Sequence, residues 1–195
     1  AEAGFLVGEC CLKLGDCAHA APQFRALLQQ APQHERAAAA RLALGECDIE
    51  LGNADEAVAA LEEFLRARPA DKTEAARAQL LLGRARLLRK EHDRAEAAFA
   101  KVTELSEGAL GAEAQFRLGE SRAMRGDLEG AADAFVKLPI LYAQEEWVRR
   151  GLLQAGLCYE RLQQPAKARR FFDELVRRFP QSQEGKEAQS HLRGV

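Results

Sequence analysis

Residues 114–135 read AQFRLGESRAMRGDLEGAADAF, and the rest of the chain follows from the pattern in this stretch. Ala114 stands five residues before Gly119, Leu118 one before it and Ser121 two after it. Gly126 follows at seven, Ala131 at twelve and Phe135 at sixteen. Apolar residues fall at helical spacing on both sides of Gly126, which predicts two antiparallel helices joined by a turn there. Small residues at Gly119 and Ala131 are what a close crossing of those two helices requires, because a larger side chain would push the axes apart.

The same pattern occurs five times. Gly8, Gly45, Gly83, Gly119 and Gly156 are separated by 37, 38, 36 and 37 residues. Twelve after each stands Ala20, Ala57, Ala95, Ala131 or Ala168, and sixteen after each a large apolar group, Phe24, Leu61, Phe99, Phe135 or Phe172. The turn position seven after holds Gly15, Gly52 and Gly126, with Lys90 and Gln163 in the other two repeats. Asp55 and Asp93 are read as N-caps of second helices, and Pro165 suits a first helical turn. The repeats run 1–34, 35–71, 72–108, 109–145 and 146–182, and 183–195 reads as the opening helix of a sixth unit or a cap. The pattern is already under way at Ala3 and Val7, so the chain is read as a fragment of a longer protein.

Composition agrees with an all-α reading. The 195 residues include 38 Ala and 27 Leu against 9 Phe, 2 Tyr and 1 Trp, a bias toward helix formers that excludes an all-β fold. A net charge of -2 gives no global field for a polyanion, and no apolar run approaches the roughly 18 residues of a membrane span. No targeting peptide is visible, and the compartment stays open between the cell envelope and the cytoplasm.

Leu-Gly in the first helix, Ala-x-x-x-Phe in the second and a proline twenty-four after the Gly (Pro32, Pro69, Pro180) resemble the tetratricopeptide repeat, TPR. The resemblance covers nearly the whole chain. It departs where no Trp or Tyr stands four before the Gly, where the Tyr three after appears only as Tyr159, and where Glu107 and Ala143 replace two prolines. The lengthened period is similar to that of bacterial cell-envelope TPR proteins, such as the lipoprotein of the barrel-assembly machine and the Tol-Pal coordinator. In the first repeat the added residues fall at Glu35 to Ala37, extending the next helix or its connection. The resemblance implies a right-handed superhelical solenoid of about five antiparallel helix pairs plus a C-terminal helix, whose first helices line a concave, peptide-binding side.

No residue constellation points to catalysis. Glu62 with Glu63, and Glu145 with Glu146, are adjacent on helices and diverge by about 100°, so neither pair converges on one bond. His34, His92 and His191 have no Ser or Cys with an orienting acid in a recognisable order, and no phosphate loop occurs. Cys10, Cys11, Cys17 and His19 lack C-x-x-C spacing, and Cys10 occupies the repeat slot of Cys47, Ala85, Ser121 and Cys158, a small packing position. Five free thiols, no metal and no cofactor are expected. On the basic helix from Lys167 to Arg178, Arg169 with Asp173, Arg170 with Glu174, Asp173 with Arg177 and Glu174 with Arg178 stand four apart, a self-neutralising face rather than a nucleic-acid surface.

The resemblance places the candidate partner-binding residues three before each Gly (Phe5, Leu42, Leu80, Phe116, Leu153) and one after it (Glu9, Glu46, Arg84, Glu120, Leu157), with Arg161 further along the last first-helix. The apolar set fits either a groove for an apolar partner or packing between neighbouring helices. The Lys and Asn with which chaperone-type TPRs grip a carboxylate are missing from these slots. From Ala1 to Leu65 acidic residues number 11 and basic ones 4, and the balance reverses after Ile140, so the groove is read as polar from end to end. The function expected is a non-catalytic interaction module that binds a protein or peptide segment, apolar in its middle and basic toward the N-terminal repeats. The alternative is a structural spacer or self-associating segment of a larger solenoid, with homo-association through terminal helices.

Overall fold

The computed structural model describes residues 2–194, and among them every regular element is a helix. Twelve helices follow in order: α1 (Glu2–Lys13), α2 (Cys17–Gln30), α3 (Ala37–Glu50), α4 (Ala54–Arg66), α5 (Lys72–Leu88), α6 (His92–Leu105), α7 (Ala109–Met124), α8 (Leu128–Val136), α9 (Leu138–Leu141), α10 (Glu145–Arg161), α11 (Pro165–Arg178) and α12 (Gln183–Gly194). They fall into two compact units, Ala1–Ala98 and Phe99–Val195, with α6 running across the division. In the first unit α1 pairs with α2 and α3 with α4, and α3 touches both α1 and α5. In the second, α7 pairs with α8 and α10 with α11, and α10 touches both α7 and α12.

Each turn between paired helices is built the same way. The residue seven after the repeat Gly has positive φ in all five repeats: Gly15 (76°), Gly52 (79°), Lys90 (60°), Gly126 (83°) and Gln163 (56°). Its N–H and that of the next residue return to carbonyls of the last helical turn, as in Lys90 to Leu87 at 2.9 Å and Glu91 to Arg86 at 2.9 Å, which satisfies the helix's orphan acceptors. Lys90 and Gln163 adopt the left-handed conformation at a steric cost that glycine avoids.

The second helix is capped one residue later than the turn. Asp16 accepts from His19 N–H at 3.2 Å and Asp127 from Gly130 N–H at 2.9 Å. The cap of α4 is Asn53, and Asp55 and Asp93 lie inside the first turns of α4 and α6, where they favour the helix through its dipole instead. The added residues of the first repeat lengthen the connection between Gln30 and Ala37 and leave α3 unextended.

The helices of a pair cross at the Gly. A methyl group on Gly45 would sit 2.5 Å from Leu61 Cγ, one on Gly119 2.5 Å from Phe135 Cε1, and one on Gly8 2.8 Å from Phe24 Cε1. At Gly8, Gly45, Gly119 and Gly156 the residue sixteen later is thus the knob that fills the hole, and Phe24, Leu61, Phe135 and Phe172 are at most 1% exposed. Burying one such side chain contributes about 1.5–3 kcal/mol, which offsets the roughly 1 kcal/mol that Gly costs a helix interior relative to Ala.

One element was not foreseen from the repeat. The second helix of the fourth repeat stops at Val136, and a single turn, α9, restarts with Pro139 near its N-terminus. Proline has no N–H to return to Phe135 O, and its ring disfavours a continuous helix through this point. Buried Gln115 of α7 donates its Nε2 to Ala134 O at 2.8 Å beside the break.

The five cysteines are free thiols. Cys17, Cys47 and Cys158 are buried, but Cys10 is exposed although it shares the slot of Cys47. In α3 that slot faces α2 of the preceding repeat, and among the described residues no helix precedes α1.

Candidate functional site

The first helices of the repeats line an open cavity in each unit. In the first unit a cavity of about 420 Å³ is bordered by Phe5, Glu9, Leu12 and Lys13 of α1, Ala39, Leu42, Ala43 and Glu46 of α3, and Glu74 and Arg77 of α5. In the second, about 370 Å³ is bordered by Phe116, Arg117 and Glu120 of α7, Arg150, Leu153 and Gln154 of α10, and Gln183, Glu184 and Glu187 of α12. Four of the candidate residues read from the sequence, Phe5, Glu9, Leu42 and Glu46, therefore meet in one cavity, and three more, Phe116, Glu120 and Leu153, in the other.

Phe5, Leu42, Phe116 and Leu153 form the floors of these cavities rather than their walls, and Leu80 borders neither. Phe5 is 1% exposed, Leu80 4%, and Leu42, Phe116 and Leu153 6% each. Phe5 meets Phe24 edge-on at 5.7 Å and lies under the Arg36 guanidinium at 5.3 Å. Phe116 packs against Phe135 at 5.3 Å and Trp147 at 5.4 Å between ring centres. Leu42 and Leu153 each belong to a buried apolar cluster. Helix-to-helix packing occupies most of this surface.

The polar candidates divide by pairing. Glu46 is held by Arg77, and Arg84 donates to Glu50 at 2.7 Å, so both bridge α3 and α5. Glu120 accepts from Arg117 at 2.9 Å on its own helix. Half-buried Glu9 has no ion-pair partner among the described residues, and neither do Lys13 or Glu74 at the rim. Arg161 is exposed at the end of α10 and borders neither cavity.

The charge of the first cavity follows the sequence expectation, with Glu9, Glu46 and Glu74 against Lys13 and Arg77. That of the second does not. Its walls hold Glu120, Glu184 and Glu187 against Arg117 and Arg150, with Gln154 and Gln183 between them. The basic surplus of the C-terminal region sits instead on α11, where Arg169 meets Asp173 at 3.8 Å and Arg178 meets Glu174 at 3.0 Å. Two cavity-lining residues that the sequence reading passed over, Arg77 and Arg150, lie on first helices outside the slots counted from the repeat Gly. Trp147, which packs at a tilt against Phe116, carries the Arg150 guanidinium 5.0 Å above its ring.

No set of three metal-binding side chains comes together among the described residues, and no helix is long and apolar enough to cross a membrane. The buried thiols of Cys47 and Cys158 are poor nucleophiles. Burial first, and the adjacent Cys17 second, push the Cys47 thiol up to about 12, and burial also raises Cys158.

No curated protein sequence matches the chain. Solved structures that resemble it include MamA, with a TM-score of 0.73 at 21% identity over 97% of this chain and 98% of that one. YrrB, described as a TPR protein with an unusual peptide-binding site, has a TM-score of 0.69 at 19% identity over 96% and 90%. A tetratricopeptide repeat protein from Parabacteroides merdae has 0.73 at 15% over 98% and 71%. At these identities the likeness shows the fold. Two profiles described as tetratricopeptide repeat match the sequence, one over residues 11–72 and 48–109, the other over residues 113–144 and 150–182. With four glycine-centred helix crossings and a profile spanning half of its length, the chain belongs to the tetratricopeptide repeat family.

Proposed function

We propose that this chain is a non-catalytic interaction module that holds a protein or peptide segment across the first helices of its repeats. The observation that carries this reading is the acidic cavity of the first unit, where the unpaired carboxylates Glu9 and Glu74 stand around a floor of Phe5 and Leu42. That combination suits an extended or helical segment with an apolar anchor and Lys or Arg beside it. YrrB, of similar fold, is described as having a peptide-binding site. The proposed contact residues are those bordering the two cavities, with Leu80, Arg84 and Arg161 the candidates outside them. The long repeat period supports the likeness to cell-envelope TPR proteins, and fractionation of the source cell is its test.

Because Leu80 and Phe116 are buried, charged substitutions there would disturb packing before binding. Glu9→Lys with Glu74→Lys alters the rim and leaves the core intact. Selection of displayed random peptides on the wild-type chain should enrich sequences that pair Lys or Arg with a large apolar residue, and the double variant should weaken them at least about tenfold. Failure to enrich any peptide, or equal affinity for the variant, would overturn the reading. It would favour the second one, a structural spacer, for which the near-complete burial of the inward apolar set is the supporting observation.

A further inference from the structure

Helix α1 exposes a continuous apolar row. Ala3, Val7, Cys10 and Leu14 are all exposed, Val7 by 51% and Leu14 by 84%, with Leu6 at 48% on its edge. Spacings of four, three and four place these side chains along one line, on the side of the helix opposite Phe5 and Gly8, which face α2. The same register in α3 holds Ala40, Leu44 and Cys47, which α2 covers, and ends at Leu51, which stays exposed as Leu14 does. Ala40, Leu44 and Cys47 share one apolar cluster with Cys17, Ala21, Phe24 and Leu27 of that helix. The row on α1 therefore continues an interface that the fold already uses between repeats.

We propose that a second copy of this chain covers it, with α1 packed antiparallel on α1 about a two-fold axis. The row is complementary to itself. An axis passing between Val7 and Cys10 brings Ala3 opposite Leu14 and Val7 opposite Cys10, small against large in each layer. Pairing desolvates no carboxylate, because Glu2 turns toward Arg36 at 3.4 Å and Glu9 borders the acidic cavity. The other end of a copy is a poor cover. α12 presents Lys186, Glu187, Ser190 and Arg193 to solvent, so a head-to-tail contact would bury those charges against apolar side chains. A single helix pair is smaller than the standard interface of about 1,600 Å², so the association is of the weak, concentration-dependent kind.

Sedimentation of the 195-residue chain between about 5 and 200 µM tests this directly. The mass should rise from 21.4 kDa toward twice that value. Val7→Glu with Leu14→Glu should hold it at 21.4 kDa with an unchanged helical circular dichroism spectrum. If the double variant loses helix, Leu14→Glu alone serves, since that side chain touches little of its own fold. A short bismaleimide should link two wild-type copies and fail to link Cys10→Ser. A wild-type mass fixed at 21.4 kDa over the whole range overturns the proposal. So does a dimer, cross-linked or not, that survives the glutamate substitutions.

Discussion

Asp48 is a carboxylate without access to water, and its neighbours decide whether that is tolerable. It is fully buried on α3, where Arg25 of α2 pairs with its Oδ1 and Asn53 donates to the same oxygen at 3.3 Å. Its Oδ2 has no hydrogen-bond partner. Arg25 therefore compensates a charge that has nowhere else to go, and Arg25→Ala should destabilise the chain by about 3 kcal/mol in urea unfolding. Replacing both partners, Arg25→Met with Asp48→Leu, should recover most of that loss, because no uncompensated charge remains. A double variant as unstable as the single one would show that the pair contributes geometry rather than charge balance. The thiol beside it points the same way: Cys47 stays protonated across the physiological range because burial disfavours its thiolate.

At the level of the helices, the interruption at Pro139 is what separates the fourth repeat from the others. Gln115 reaches from α7 to Ala134 O, so a buried acceptor near the break is satisfied by a side chain. Gln115→Leu keeps the volume and removes the donor. It should cost about 1–3 kcal/mol, read as a lowered urea midpoint, and an unchanged midpoint would mean that Ala134 O finds another donor. This is also where legibility in the sequence ends. Gly, Ala and Phe at fixed offsets fix how paired helices cross, so the hairpins are visible in the residues themselves. The offsets carry no information about a proline that falls between them. Caps were misplaced for a related reason: Asp55 and Asp93 look like starts because they precede apolar runs, yet the turn geometry after Gly52 and Lys90 starts each helix earlier. The buried residues Phe5, Leu42, Leu80, Phe116 and Leu153 were readable as inward-facing. Whether such a side chain meets a ligand or a neighbouring helix depends on the spacing between repeats, which no single repeat encodes.

Across the molecule, the contacts within each unit stay between helices of the same or adjacent repeats. This is the physical content of a period visible in sequence, since each repeat buries its faces only against the next. Charge is likewise settled locally. Arg41 with Glu63 at 2.8 Å, Arg86 with Glu62 at 2.9 Å and Arg149 with Glu184 at 3.4 Å each join neighbouring helices. Short-range contact has a mechanical counterpart. With no distant contact to shear within either unit among the described residues, a chain held by its two ends in an optical trap should lengthen as a staircase, one hairpin at a time. A repeat of 37 residues released to full extension adds about 120–130 Å of contour, and a single rupture yielding the whole length at once would contradict it. Each unit, built this way, should behave less like a block than like a spring that yields at low load and rewinds from whichever coil remains.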